Sequence, residues 1–233
     1  VVVDNDSRDE SVEYLKSLNW IKLVERRVAG GELKGSTAEG SALDIGLKNC
    51  NTEFYVVMHT DTIVRRENWL TDLIKYFDDD KDVTCVGCDK VDIRPKWRIM
   101  FRKAGDFKTI KRKIVGDTSL QGRFRYHNCT ICCIYRTNVL KQEKLSFMPD
   151  LERGITSGEG LYFDLVDHGH KTVELPQDIM AKYIVHLDHA TQIINPDEFE
   201  INKRTVKRCS RHFQKVMTSD SVVNILLDNS LDS

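Results

Sequence analysis

The chain contains no apolar run approaching the ~20 residues that a membrane-spanning helix needs, no internal repeat and no low-complexity tract. It therefore reads as neither a solenoid nor a disordered or collagen-like chain, and the expectation is a soluble or peripheral protein. Charge of either sign is not in excess either: 35 Lys and Arg meet 36 Asp and Glu, a formal net charge of −1. With no nucleic-acid motif beside that balance, nucleic acid is not an expected partner. What is present is 233 residues, 40% hydrophobic and 30% charged, enough to bury one sizeable core.

Seven cysteines are an odd number, and several sit in Val- and Ile-rich runs such as Cys85-Val-Gly-Cys88 and Cys129-Thr-Ile-Cys132-Cys133. That usage suits reduced thiols packed as small hydrophobes, in a reducing compartment. The two C-x-x-C pairs have zinc-like spacing. On a regular strand, however, residues i and i+3 face opposite sides, so a four-cysteine zinc site is not expected.

The most informative stretch is Glu53-Phe-Tyr-Val-Val-Met-His-Thr-Asp61, an apolar run that ends abruptly in an acid. It reads as a buried strand carrying a carboxylate to a sheet edge, where open α/β folds bind ligands. Apolar residues at 69, 70, 73, 74 and 77 then recur at the spacing of a one-sided helix. Ser7-Arg-Asp-Glu10 and Ser36-Thr-Ala-Glu39 fit capping boxes ahead of helices over 11–18 and 38–48. Strands are predicted at 20–24, 82–88, 129–135, 171–175 and 182–186, and a loop over 29–35. This alternation argues for an α/β sandwich around a mainly parallel sheet.

Several segments together resemble glycosyltransferase family 2. Val3-Asp-Asn-Asp-Ser-Arg-Asp9 resembles its V-D-[DN]-x-S-x-D signature, and Glu39-Gly-Ser-Ala-Leu-Asp-Ile-Gly46 the segment ahead of its metal motif. His59-Thr-Asp61 with Asn68-Trp-Leu falls at its D-x-D and following W-L. Cys133-Ile-Tyr-Arg136, Phe147 and the stretch from Gly158 to Lys171 are similar to its closing motifs. The resemblance spans about residues 1 to 190 and implies a GT-A, Rossmann-like three-layer fold over 1–195, with 196–233 as a basic C-terminal helix and tail. It also implies a nucleotide-diphosphate sugar donor, a divalent cation (Mn²⁺ or Mg²⁺) and inversion at the anomeric carbon. Because Val1-Val2-Val3 opens in mid-strand, the expectation is that the first strand and helix of that fold lie outside this chain.

The implied chemistry assigns roles to individual residues. A sugar nucleotide leaves as a diphosphate, and a cation held by few protein ligands can neutralise the charge that develops. Asp61 is the first choice of ligand. His59 stands where the family carries its leading acid, and His186 is a third candidate. Imidazole at 59 favours Mn²⁺ over Mg²⁺, and alternation on a continuing strand would point His59 and Asp61 the same way. Asp4, with Asn5 and Ser7, falls in the base-reading segment; the local alternative is an Asx turn or helix cap. Inverting transfer also needs a carboxylate to take the acceptor proton. The family's base position is Gly160 here, so Glu159 is the candidate, against the plainer reading of an acid favoured at a helix start.

Residues 94–125 carry eleven Lys and Arg against Asp106 and Asp117, with aromatics interleaved. This island lies where the family varies its acceptor region. It suits a glycan or lipid-linked acceptor or a membrane surface, or is simply a solvated face. Asn195-Pro-Asp-Glu198 reads as a helix start, followed by apolar residues at helical spacing and basic ones on the other sides. The location expected is cytoplasmic, with peripheral membrane contact. Two functions follow: an active metal-dependent transferase, or a transferase-like module that binds nucleotide without turnover, which Gly160 and His59 both favour. Nucleotidyl transfer shares the α/β layout and the metal.

Overall fold

Val83-Thr-Cys-Val-Gly-Cys88 is apolar on both faces, as a strand covered on both sides must be, and it forms a fully buried strand. In this computed structural model, which describes residues 1–7, 9–27, 35–89, 127–194, 202–228 and 230, the strands are β1 (Val2–Asp4), β2 (Leu23–Glu25), β3 (Phe54–Met58), β4 (Thr62–Val64), β5 (Val83–Cys88), β6 (Cys132–Arg136), β7 (Lys171–Leu175) and β8 (Ile184–His186). The helices are α1 (Ser11–Ser17), α2 (Gly35–Asn49), α3 (Trp69–Asp79), α4 (Thr137–Gln142), α5 (Glu159–Asp167), α6 (Gln177–Met180), α7 (Ala190–Ile194), α8 (Lys203–Met217) and α9 (Asp220–Leu227).

The central sheet has the order β3-β6-β5-β7. β6 is antiparallel to both of its neighbours and β5 is parallel to β7, so β3, β5 and β7 run one way and β6 alone is reversed. β1 and β2 form a separate parallel pair, and β4 and β8 an antiparallel one.

Alternation along β6 divides the core. Cys132 and Ile134 join Leu73 and Phe77 of α3 on one face, while Cys133 and Tyr135 join Leu47 of α2, Leu140 of α4 and Leu161 and Leu165 of α5 on the other. Helices therefore cover both faces, giving the three-layer α/β sandwich expected. Leu73 and Phe77 are wholly buried, and each such side chain contributes about 1.5–3 kcal/mol by leaving water.

Neither capping box forms. Glu10 precedes α1 without a side-chain cap, and the Ser7 N–H turns to the Asp4 carboxylate instead. α2 begins at Gly35 rather than Ala38, which places Ser36 and Glu39 inside the helix and frees the Glu39 side chain for tertiary contacts. The approach of α2 is close: a Cβ on Gly40 would collide with the Phe147 carbonyl.

The basic island at 94–125 and the Asn195–Glu198 helix start lie outside the described residues. α8 begins at Lys203, where the Asn202 side chain accepts from the Arg204 N–H at 2.9 Å. Its Cys209 side is buried, while Lys203, Arg204, Lys207, Arg211 and Lys215 are exposed. No helix among the described residues is long and apolar enough to cross a membrane.

Candidate functional site

β3 ends at Met58, one residue short of His59, so the expectation of a continuing strand is corrected. A turn closed by the Thr62 N–H on the His59 carbonyl (3.0 Å) brings His59 Nδ1 to 3.9 Å from Asp61 Oδ1. Beyond the turn, β4 pairs with β8 and sets Thr62 opposite His186. That register places His186 Nε2 3.0 Å from Asp61 Oδ1. The Leu187 N–H also donates to the Asp61 carbonyl at 2.9 Å, tying the two segments together. One ligand atom from each of His59, Asp61 and His186 lies within 4.8 Å of the others, and among the described residues this is the one group so arranged.

Burial pushes the Asp61 carboxyl upward. The hydrogen bond from His186, the charges of His186 and His59 and the Ala190 N–H outweigh it, so the group stays below the ordinary carboxylate value and carries charge at neutral pH. The Ala190 N–H comes into place after two successive left-handed residues that are not glycine, Asp188 at φ 57° and His189 at φ 67°. Backbone of this kind costs on the order of 1–3 kcal/mol per residue and persists where surrounding contacts hold it. Here α8 supplies such contacts: His212 Nε2 donates to the His186 carbonyl at 3.1 Å, and Arg208 lies 3.8 Å from the Asp188 carboxylate.

The donor set fits a divalent cation. A charged carboxylate oxygen sits between two imidazoles, and His59 Nε2 is already engaged away from Asp61, by Glu39 Oε1 at 3.0 Å and Thr130 Oγ1 at 2.9 Å. Nitrogen donors mixed with oxygen suit Mn²⁺ better than Mg²⁺. The cysteines make no comparable site. Cys88 and Cys132 lie in the core on the α3 side and Cys85 and Cys133 in the core on the other side, so their sulfurs are split across the sheet. None of the seven cysteines is in a disulfide.

The candidate base-reading segment stands beside this group. Asp4 is buried at the end of β1, with the Ser7 N–H 3.3 Å from both carboxylate oxygens and Arg27 3.8 Å away. The turn reading of Asp4 is thus realised in this arrangement. Asn5 Nδ2 donates to the Ala38 carbonyl of α2 at 3.3 Å, and Arg26 donates to Asn5 Oδ1 at 2.9 Å. Ala38 and Glu39 are consecutive, so one turn of α2 joins Asn5 to His59. The ends of β1 and β3 are therefore linked through α2.

A family model described as glycosyl transferase family 2 matches residues 1–142. The chain belongs to glycosyltransferase family 2. Its fold is similar to that of a mannosyltransferase from Pyrobaculum calidifontis solved in complex with GDP-Man and Mn²⁺, at 15% sequence identity and a TM-score of 0.51. The similarity covers 94% of this chain and 60% of that one, so this chain spans about three fifths of the length of the structure it matches. A search of curated proteins finds no match. The GT-A fold is thereby established for this family member.

Glu159 opens α5, where its Oε2 accepts from the Thr156 N–H at 2.9 Å and the Thr156 hydroxyl at 3.1 Å. It is held at its own helix start, as the plainer reading has it. α5 nevertheless begins close to the metal-competent group: Gly158, at φ +74°, is packed so that a Cβ there would lie 2.6 Å from Thr130 Cγ2. Gly160 sits on a different side of α5, in a cleft also lined by Phe163, Asp164 and Asp167. Sequence reasoning missed Thr130 and the tertiary role of Glu39. Glu39 was visible as an acid in the expected helix cap, and the only hint at its other use was the His at position 59, where the family has an acid.

Proposed function

We propose that this chain forms the donor site of an inverting, metal-dependent glycosyltransferase that moves a sugar from a nucleoside-diphosphate sugar to a hydroxyl acceptor, on a glycan, lipid-linked or small molecule. The observation that carries this reading is the convergence of His59, Asp61 and His186 beside the Asp4–Asn5 segment, in a member of family 2. The Mn²⁺ and GDP-Man of the similar mannosyltransferase support a divalent cation and a nucleotide-sugar donor. A cation held by these three side chains would supply Lewis-acid stabilisation of the leaving diphosphate. Asp61 keeps its charge for that role, His59 and His186 orient toward it, and Asp4 and Asn5 are the residues proposed to bind the nucleotide, with Asp4 reading the base. Glu159 is the proposed acceptor of the hydroxyl proton, for which it must leave Thr156.

That last requirement favours a second reading, a transferase-like module that binds nucleotide without turnover. Metal-dependent hydrolysis of a donor separates the two: detectable hydrolysis, lost in Glu159→Gln, supports turnover, and its absence supports the binding module. The donor site itself is tested by thermal melts against GDP, UDP and dTDP with and without Mn²⁺. A nucleotide at 100 times its Kd adds ~2.7 kcal/mol, or several degrees at this size. The expected result is a metal-dependent shift with one base, absent in Asp61→Ala; no shift with any of the three sinks the donor site.

Cytoplasmic placement and a peripheral membrane contact belong to the same reading. They are supported by the seven cysteines, none of them in a disulfide, and the five exposed cations of α8. Co-sedimentation with anionic vesicles, abolished when those cations are changed to Glu, is the expected outcome; equal sedimentation of both proteins removes the contact.

A further inference from the structure

His59 is an unusual ligand candidate because an imidazole must present one particular nitrogen as a lone pair, and two neutral tautomers compete. The surroundings decide between them. Thr130 has one hydroxyl proton, and it goes to Glu39 Oε1 at 2.5 Å. Toward His59, the Thr130 oxygen can then only accept, and the Glu39 carboxylate is an acceptor throughout. Both lie within 3.0 Å of His59 Nε2. The proton of neutral His59 is therefore held at Nε2, and the lone pair falls on Nδ1, the atom 3.9 Å from Asp61 Oδ1.

The fold is built to close this arrangement. The absence of a Cβ at Gly40 lets the first turns of α2 lie on the Phe147 carbonyl, and its absence at Gly158 lets the start of α5 lie on Thr130. Glu39 and Thr130 thus meet side by side at His59 Nε2, one on α2 beside Gly40 and the other beneath Gly158.

We propose that Glu39, backed by Thr130, is a positioning residue that locks His59 in the Nε2–H tautomer so that Nδ1 faces the cation site. The inference rests on the metal reading above. It also accounts for the departure from the family pattern. An acid at position 59 would face the Glu39 carboxylate with a second negative charge in place of an N–H donor, and like charges brought near each other disfavour ionisation. Histidine at 59 and glutamate at 39 make a matched pair, as partners of ligating imidazoles generally do.

The test combines ¹⁵N NMR of the histidines at pH 8, without metal, with Mn²⁺ titration followed by EPR. The chains compared are the parent, Glu39→Gln, Glu39→Ala, His59→Asp and the double variant Glu39→Gln with His59→Asp. The parent should show His59 as the Nε2–H tautomer, and Glu39→Ala a mixture. Glu39→Ala should weaken Mn²⁺ binding about 10- to 100-fold, while Glu39→Gln, whose amide oxygen still accepts, should recover part of the loss. In the His59→Asp background the sign should reverse, with Glu39→Gln tightening Mn²⁺ binding. A purely structural role for Glu39 does not produce that reversal. An Nδ1–H tautomer in the parent, or Mn²⁺ binding unchanged in Glu39→Ala, overturns the proposal. If the parent takes no Mn²⁺ while its Nε2–H tautomer is lost in Glu39→Ala, the metal reading fails and the positioning role stands.

Discussion

At the end of β3, His59 and His186 turn toward Asp61; just past the end of α5, His168 and His170 turn toward Glu143, with His168 Nδ1 2.5 Å from Glu143 Oε2 and His170 Nε2 against Oε1. Each place has two imidazoles and one carboxylate. In the first, both rings approach the same oxygen, His186 is buried, and the nitrogen of His59 that points away is occupied by Glu39 and Thr130. In the second, each oxygen takes its own ring, and the carboxylate bridges the chain after α4 to the turn between α5 and β7. Composition is thus a poor guide to a metal site. Convergence of two rings on one oxygen, one from the turn after β3 and one from β8, distinguishes a ligand set from a clamp.

The largest effect expected from breaking this contrast is on metal affinity. His186→Ala should weaken Mn²⁺ binding by tenfold or more, whereas His168→Ala, which removes the same chemical group from the clamp, should leave it unchanged. Titration of both variants by EPR checks the pair together, and equal losses would mean that the two places do not differ as described.

A smaller effect should sharpen the contrast through pH. The hydrogen bond that His168 donates to Glu143 raises the His168 pKa above its ordinary 6.5, and the bonds from His168 and His170 hold Glu143 below its ordinary 4.5. A raised imidazole stabilises the fold below its unfolded value and loses that contribution as pH rises through the folded one. A depressed carboxylate stabilises above its unfolded value and loses it on acidification. The clamp is therefore strongest between about pH 4.5 and 6.5. His168→Gln should lower the melting midpoint by about a degree or two at pH 6 and by less at pH 9. Asp61 and Glu39, both held below their ordinary values, are charged across that whole interval. Melts of parent and variant at the two pH values give the comparison, and a loss that grows with pH would contradict it.

Much of the fold was legible because its signals are local. The apolar run before Asp61, the helical spacing of Leu73 and Phe77, and Lys171–Leu175 all form the elements expected, since each packs the face that its periodicity marks. Boundaries that depend on tertiary contacts were not legible. The Ser36–Glu39 pattern reads as a cap, but α2 runs through it from Gly35, and Glu39 is used by His59 and Thr130 instead. β4 went unrecognised because three residues, Thr62-Ile-Val64, carry too little pattern to mark a strand; only pairing with β8 reveals it.

The sequence by itself determined the α/β order, the family and the candidates Asp61, His59 and His186, because periodicity and ordered motifs are properties of neighbouring residues. The tertiary structure alone decided that these three side chains meet and which nitrogen of His59 faces Asp61. It also decided that the partners of the other nitrogen are Glu39 and Thr130. Residues 59, 186, 39 and 130 are far apart in the chain, and only strand register, helix approach and the room left by Gly40 and Gly158 bring them within hydrogen-bond reach.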